Sequence, residues 1–386
     1  MNTAGLRFRG RLADLDADAR RALRDRAGAD AASVRNAVAT IVDDGRARGD
    51  AALRELTRRF DGVDLEAFEV PRSAWAAALD RLDPAVRRAL ERAAANLTVS
   101  HRAWVPTGAT VVTEPGILLE RRPFPLARVG VYVPGGRAVY PSSVLMGVVP
   151  AKVAGVGQVI VTSPAGPSGA PADAILAACL LAGADRVFAL GGAQAIAALA
   201  YGTGSVPRVD RIVGPGNAYV MEAKLQVSNR VGIDGPAGPS EVLVVADAAA
   251  DPDLVAAELV AQAEHDPDAV AIAVVIGSAA AAERIEKALS RAVAEAARGD
   301  IVSAALAGYG GVLTVDTLDE AVIFANDFAA EHLLLAFEGA EPAKARFSVA
   351  GAVFVGSASS VAFGDYLTGG NHVLPTAGLG RSYSGL

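Results

Sequence analysis

"RVGVYVPGGRAVYPSSVLMGVVPAKVAGVGQVIVTS", residues 128 to 163, opens on a β-branched run and breaks at proline and glycine. It continues through a helical stretch of small apolar residues and closes on a second β-branched run. That order describes a strand, a crossover helix and a parallel strand. The texture continues with "RVFAL" and "RIVG". It starts again after "GIDGPAGPSE" with "VLVVA", "VAIAVVIG", "GGVLTVD", "HLLLAF" and "GAVFVG". Two α/β domains in tandem are expected, spanning 128–235 and 236–377 and joined near 232 to 240. The repeat is one of pattern and not of residues. Upstream, an N-terminal segment (1–30) precedes a charged region (31–127) whose apolar residues recur every three or four positions, as in "SVRNAVATIVDDGRARGDAALRELTRRFDG". That spacing reads as helix packing on the first α/β domain.

Composition limits the function. A chain of 386 residues is too long for one compact core,. No uncharged apolar run reaches the roughly 20 residues of a membrane helix, and "MNTAGLRFRGRLADLDADARR" has no signal-peptide apolar region,. A cytoplasmic protein without a membrane partner is expected. Thirty-six basic side chains against 43 acidic ones leave a net charge of −7 with no block of like charge, which argues against a nucleic-acid partner,. The single cysteine, Cys179, rules out a disulfide or a cysteine zinc cluster within the chain,. It lies in "ILAACLLAGA", apolar on both sides, and reads as a core residue.

Histidine chemistry must use His101, His265, His332 or His372. In "LVAQAEHDPDAV" (259–270), Gln262 and His265 stand three apart, in the last turn of a helix that Asp251 caps and Pro252 begins,. They are either a polar helix end or two arms of a metal site. "TLDE" (317–320) is a capping box opening a helix to about Phe328,. Glu331 and His332 then fall on the connection before "LLLAF". They form either an exposed polar loop or an acid/base pair, since histidine titrates near neutrality. That connection meets the N-terminal edge of a parallel strand, whereas ligands usually sit at the C-terminal edge. "FGDYLTGGNHVLPT" sets Asp365 and His372 among paired glycines. Glycine turns follow strands at "VYVPGG", "ALGGAQA" and "IVGPGNAYV". None is the dinucleotide fingerprint, so they serve either ligand contact or tight packing,.

Taken in order, "ARGDAALRELTRRFDGV", "YPSSVLMGVVPAKVAGV", "GGAQAIAALAYGT", "IVGPGNAYV", "GPAGPSEVLVVAD", "QAEHDPDA", "AAEHLLL" and "GDYLTGGNHVLPT" resemble the histidinol dehydrogenase family from about residue 30 to the end. The resemblance implies two Rossmann-like open-sheet domains in an intertwined homodimer. It implies Zn2+- and NAD-dependent oxidation of L-histidinol to L-histidine, in two steps through the aldehyde. It assigns Gln262, His265 and Asp365 to the metal, and Tyr132, Gln194 and Asn217 to NAD. His332 would be the base, Glu331 the group that activates water, and Ser240 and His372 substrate contacts beside the metal ligands. Relatives carry a proline where "AAEH" and "GGNH" have none. They also continue past "RSYSGL" into a helical tail bearing one more histidine ligand and a glutamate, so 378–386 reads as the stub of that domain. No histidine follows His372 and no glutamate follows Glu341. Because that tail contacts substrate, two alternatives stand: a dehydrogenase of another small amino alcohol or diol on the same scaffold, or a non-catalytic paralogue.

Overall fold

The computed structural model describes residues 5–24, 26, 31–135, 139–235 and 238–385. Thirteen strands follow in chain order: β1 Phe8–Arg11, β2 Ala109–Glu114, β3 Ile117–Arg121, β4 Arg128–Tyr132, β5 Gln158–Ser163, β6 Arg186–Ala189 and β7 Arg211–Val213, then β8 Gly232–Ile233, β9 Glu241–Ala246, β10 Val270–Ile276, β11 Gly310–Val315, β12 His332–Ala336 and β13 Ala352–Val355. The chain divides into two compact units, each assembled from separated stretches of sequence.

One unit comprises Ala32–Asp234 and Asp365–Val373. Its parallel sheet has the order β6-β5-β4-β7-β8. Val129, Val131, Val159, Val161 and Val187 are almost wholly buried, because helices cover both faces of a parallel sheet and leave neither face to water. The other unit comprises Met1–Ala31, Gly235–Gly364 and Leu374–Gly385. Its sheet has the order β1-β11-β10-β9-β12-β13, parallel throughout. Leaving out β1, both units place their own strands third, second, first, fourth, fifth. This is the Rossmann-like order, with its switch point between the first and fourth strands. The two α/β sheets expected from the strand texture are therefore present, and they share a topology that no residue-level repeat announces.

Two crossings lie outside the linear segmentation. β1, in the N-terminal segment, pairs with β11 as an edge strand, Phe8 opposite Gly311. Residues 365–373 pack with the β4–β8 unit: Asn96 Nδ2 donates to the Leu367 carbonyl at 2.5 Å, and Asn371 Nδ2 donates to the Met146 carbonyl at 2.8 Å. The region 31–127 is also not helical throughout. After the helix Pro84–Trp104 it forms an antiparallel hairpin, β2 with β3, in which every residue is exposed. Among the described residues no helix is long and apolar enough to cross a membrane.

Candidate active site

The caps expected from sequence form. Asp251 accepts from the Asp253 amide at 2.9 Å with Pro252 in the first turn, and the helix runs Pro252–Ala263. It ends sooner than expected. Glu264 is the C-cap, Gln262 occupies the last turn, and His265 lies beyond it, its amide donating to the Gln262 carbonyl at 2.7 Å. The tight reverse turn ends the helix before Pro267 can. Gln262 is 4% exposed, and its amide nitrogen has no hydrogen-bond partner among the described residues.

Thr317 caps the helix Leu318–Phe328, its hydroxyl accepting from the Glu320 amide at 3.2 Å. Glu320 reaches back to the Asp316 amide at 2.9 Å. The chain then turns through Ala329 at φ 50° and enters β12. Glu331 and His332 are not an exposed loop. His332 is the first residue of β12, and the two are 6% and 4% exposed. β12 lies between β9 and β13, so both of its hydrogen-bonding edges are paired.

The first residue of β9 and the residue before it supply the partners. Ser240 Oγ donates to Glu331 Oε2 at 2.5 Å, and the Glu241 amide donates to the same oxygen at 2.8 Å. His332 Nδ1 lies 3.0 Å from the Glu241 carbonyl and 3.5 Å from Glu331 Oε2. A carbonyl oxygen only accepts, so Nδ1 carries the proton of the neutral ring and Nε2 is the basic nitrogen. Burial raises the Glu331 pKa above the usual carboxylate range, and the nearby Glu241 charge adds to this. A positive charge on His332, when its ring is protonated, and the bonds from Ser240 and the Glu241 amide pull the other way,. The pair flanks the switch point on the N-terminal side of the strands. Glu241 itself did not stand out in the sequence, because a glutamate after "GPS" carries no local signal.

The proposed nucleotide residues gather at the C-terminal edge of the other sheet. Tyr132 ends β4, and its hydroxyl accepts from the Gly192 amide at 3.2 Å, at the start of the helix Gly192–Tyr201. Burial, then the Asp61 charge, pushes its pKa up to about 12. Gln194 is 1% exposed, and its amide nitrogen has no partner among the described residues. Asn217 caps the helix Ala218–Val227, accepting from the Tyr219 and Val220 amides at 3.1 and 3.2 Å. Gly214, at φ 114°, passes so close to the Tyr132 carbonyl that an added Cβ would sit 2.1 Å from it, so the turn requires glycine,. Gly136 of "VYVPGG" lies outside the described residues.

Gln262 and His265 belong to one unit, Asp365 and His372 to the other. Asp365 Oδ1 is 3.4 Å from His372 Nδ1. Among the described residues no three His, Cys, Asp or Glu side chains form a group that could hold a metal. Cys179 is wholly buried, and burial pushes its thiol pKa up, as a core residue requires,.

A family model described as histidinol dehydrogenase matches residues 24–386. A histidinol dehydrogenase of Methanosarcina mazei is 46% identical over 360 residues, covering 93% of this chain and 83% of the relative. One from Xanthomonas euvesicatoria is 47% identical over 358 residues, covering 92% and 83%. A crystal structure of histidinol dehydrogenase from Elizabethkingia anophelis superposes with a TM-score of 0.93 at 33% identity, covering all of this chain and 88% of the other.

Proposed function

The chain belongs to the histidinol dehydrogenase family of oxidoreductases, and from that premise we propose that it oxidises L-histidinol to L-histidine in two NAD-linked, zinc-dependent steps through L-histidinaldehyde. The observation that carries this reading is the buried Glu331–His332 pair, held from β9 by Ser240 and Glu241.

His332 Nε2 takes the hydroxyl proton of the alcohol as hydride leaves the same carbon, and acts again on the hydrated aldehyde. Glu331 suits the intervening hydration, because a carboxylate whose pKa is raised by burial draws a proton from water more readily than an exposed one,. Ser240 spends its only donor on Glu331 and keeps lone pairs that can accept from a substrate amine,.

An amide oxygen, an imidazole and a carboxylate suit zinc, and the buried Gln262 amide is not consumed by the fold at its nitrogen,. The family resemblance assigns the ion to Gln262, His265 and Asp365, and the substrate to these three with His332 and His372. Tyr132, Gln194 and Asn217 would meet NAD at the edge where open α/β sheets take their ligands. When bound, zinc would grip the imidazole and amine of the substrate, and NAD would accept the hydride.

The protein works on this small molecule as a cytoplasmic homodimer. In support of the dimer, the β2–β3 hairpin exposes Val112, Leu118 and Leu119 at 65%, 62% and 56%, with Phe124 beyond it at 77%. An isolated two-stranded ribbon is marginal in water and gains stability from a covered face. The deciding assay is NADH formation from L-histidinol with and without added zinc. Turnover that rises with zinc is expected, and its absence in zinc-replete protein would overturn the reading.

A further inference from the structure

We propose that the buried ion pair between Arg26 and Glu241 is a positioning device for the reacting pair: it holds the Glu241 backbone, whose amide and carbonyl orient Glu331 and His332. The inference rests on the proposed roles of those two residues.

Arg26 Nε and Nη2 donate to the two Glu241 carboxylate oxygens at 2.8 and 3.0 Å, and the side chains are 2% and 1% exposed. The remaining guanidinium contacts are equally directed. Nη1 donates to the Leu23 carbonyl at 2.6 Å and Nη2 to the Phe328 carbonyl at 2.8 Å, while Cζ lies 3.7 Å from the centre of the Phe328 ring. Phe328 is the last residue of the helix that delivers Glu331, so Arg26 places a cation on that helix's C-terminal carbonyl,. It therefore grips the chain three residues before Glu331 and, through Glu241, the strand that supplies both of that pair's backbone partners.

Backbone conformation points the same way. Ala329 and Ala377 are the only non-glycine residues with positive φ among those described, at 50° and 54°. Ala329 follows the carbonyl that Arg26 holds, and the Ala377 amide donates to Glu241 Oε1 at 3.0 Å. Alanine in this region persists only where its surroundings over-determine it, and such sites gather around functional groups. A buried ion pair is also a weak stabiliser, because desolvation offsets most of its attraction; what a bidentate pair supplies is fixed geometry.

The test compares Arg26→Met, Arg26→Lys and His332→Ala in zinc-loaded full-length protein, well below each melting temperature. For Arg26→Met we expect kcat to fall about 10- to 100-fold, the scale of an ångström-level misplacement, with KM for L-histidinol and NAD nearly unchanged. Arg26→Lys keeps the charge and should recover part of that loss. With four histidines in the chain, 15N-histidine NMR can isolate His332, identified by its absence from His332→Ala. Its Nδ1–H tautomer should dominate in the parent and mix with the other in Arg26→Met. Parental kcat and tautomer in folded Arg26→Met, whatever its melting temperature, would make the pair structural only. If Arg26→Met does not fold, parental kcat in Arg26→Lys decides against the proposal equally. Full turnover in His332→Ala would instead sink the reading of the reacting pair.

Discussion

Ser240 Oγ and Glu331 Oε2, ninety-one residues apart in sequence, are 2.5 Å apart where the parallel strands β9 and β12 begin. That bond stabilises the charged form of a carboxylate whose burial favours the neutral form. In Ser240→Ala the stabilisation is lost and the Glu331 pKa rises further. The acidic limb of kcat/KM should therefore move to higher pH. A pH–rate profile that moves the other way would exclude Glu331 as the titrating group.

His332→Ala removes the proposed base without touching a proposed metal ligand. Turnover should fall by about 10²- to 10⁴-fold, the usual worth of a proton-transfer group, while bound zinc by elemental analysis stays near parental. Zinc loss in this variant would make His332 a ligand.

Cys179→Ala tests whether a thiol carries the aldehyde. Cys179 is wholly buried, and burial raises its thiol pKa. The substitution should leave both oxidation steps nearly intact and cost about 1 kcal/mol of stability through the small cavity. A several-hundred-fold loss of activity in folded protein would place the thiol in the chemistry.

Asp61 ends the helix Asp50–Asp61, where a negative charge opposes the helix dipole, and burial raises its pKa from 3.8 to about 6,. A folded-state pKa above the unfolded one means that its contribution to stability is complete below pH 3.8 and is lost as pH rises through about 6,. Asp61→Asn removes the charged form. Its melting temperature should exceed the parental value at pH 8, and the two should converge below pH 3.8. Equal melting temperatures at both pH values would mean that the carboxylate titrates unperturbed.

Leu118→Asp places a charge on the apolar hairpin, opposite Val112 in the ladder. Light scattering after gel filtration should show the proposed dimer shifting to monomer, with helical circular dichroism unchanged. An unaltered dimer would place the contact elsewhere.

What the residues determined by themselves is local. β-Branched runs predicted β4 to β7 and β9 to β13. Asp251–Pro252 and Thr317–Glu320 predicted two helix starts, and the apolar setting of Cys179 predicted its burial. Each depends on neighbours within one or two turns, which periodicity and capping report directly. Glu331 and His332 were visible as a pair, but their burial was not, because it depends on what packs around the start of β12. Only the tertiary structure brought Ser240 to Glu331, the Glu241 carbonyl to His332, and Arg26 to Glu241 across 215 residues. It likewise drew Phe8–Arg11 into the sheet of β9–β13, and residues 365–373 to the β4–β8 unit. Strand order sets those partners, and it is decided by how the whole chain buries its apolar faces; no residue spacing within any one segment encodes it.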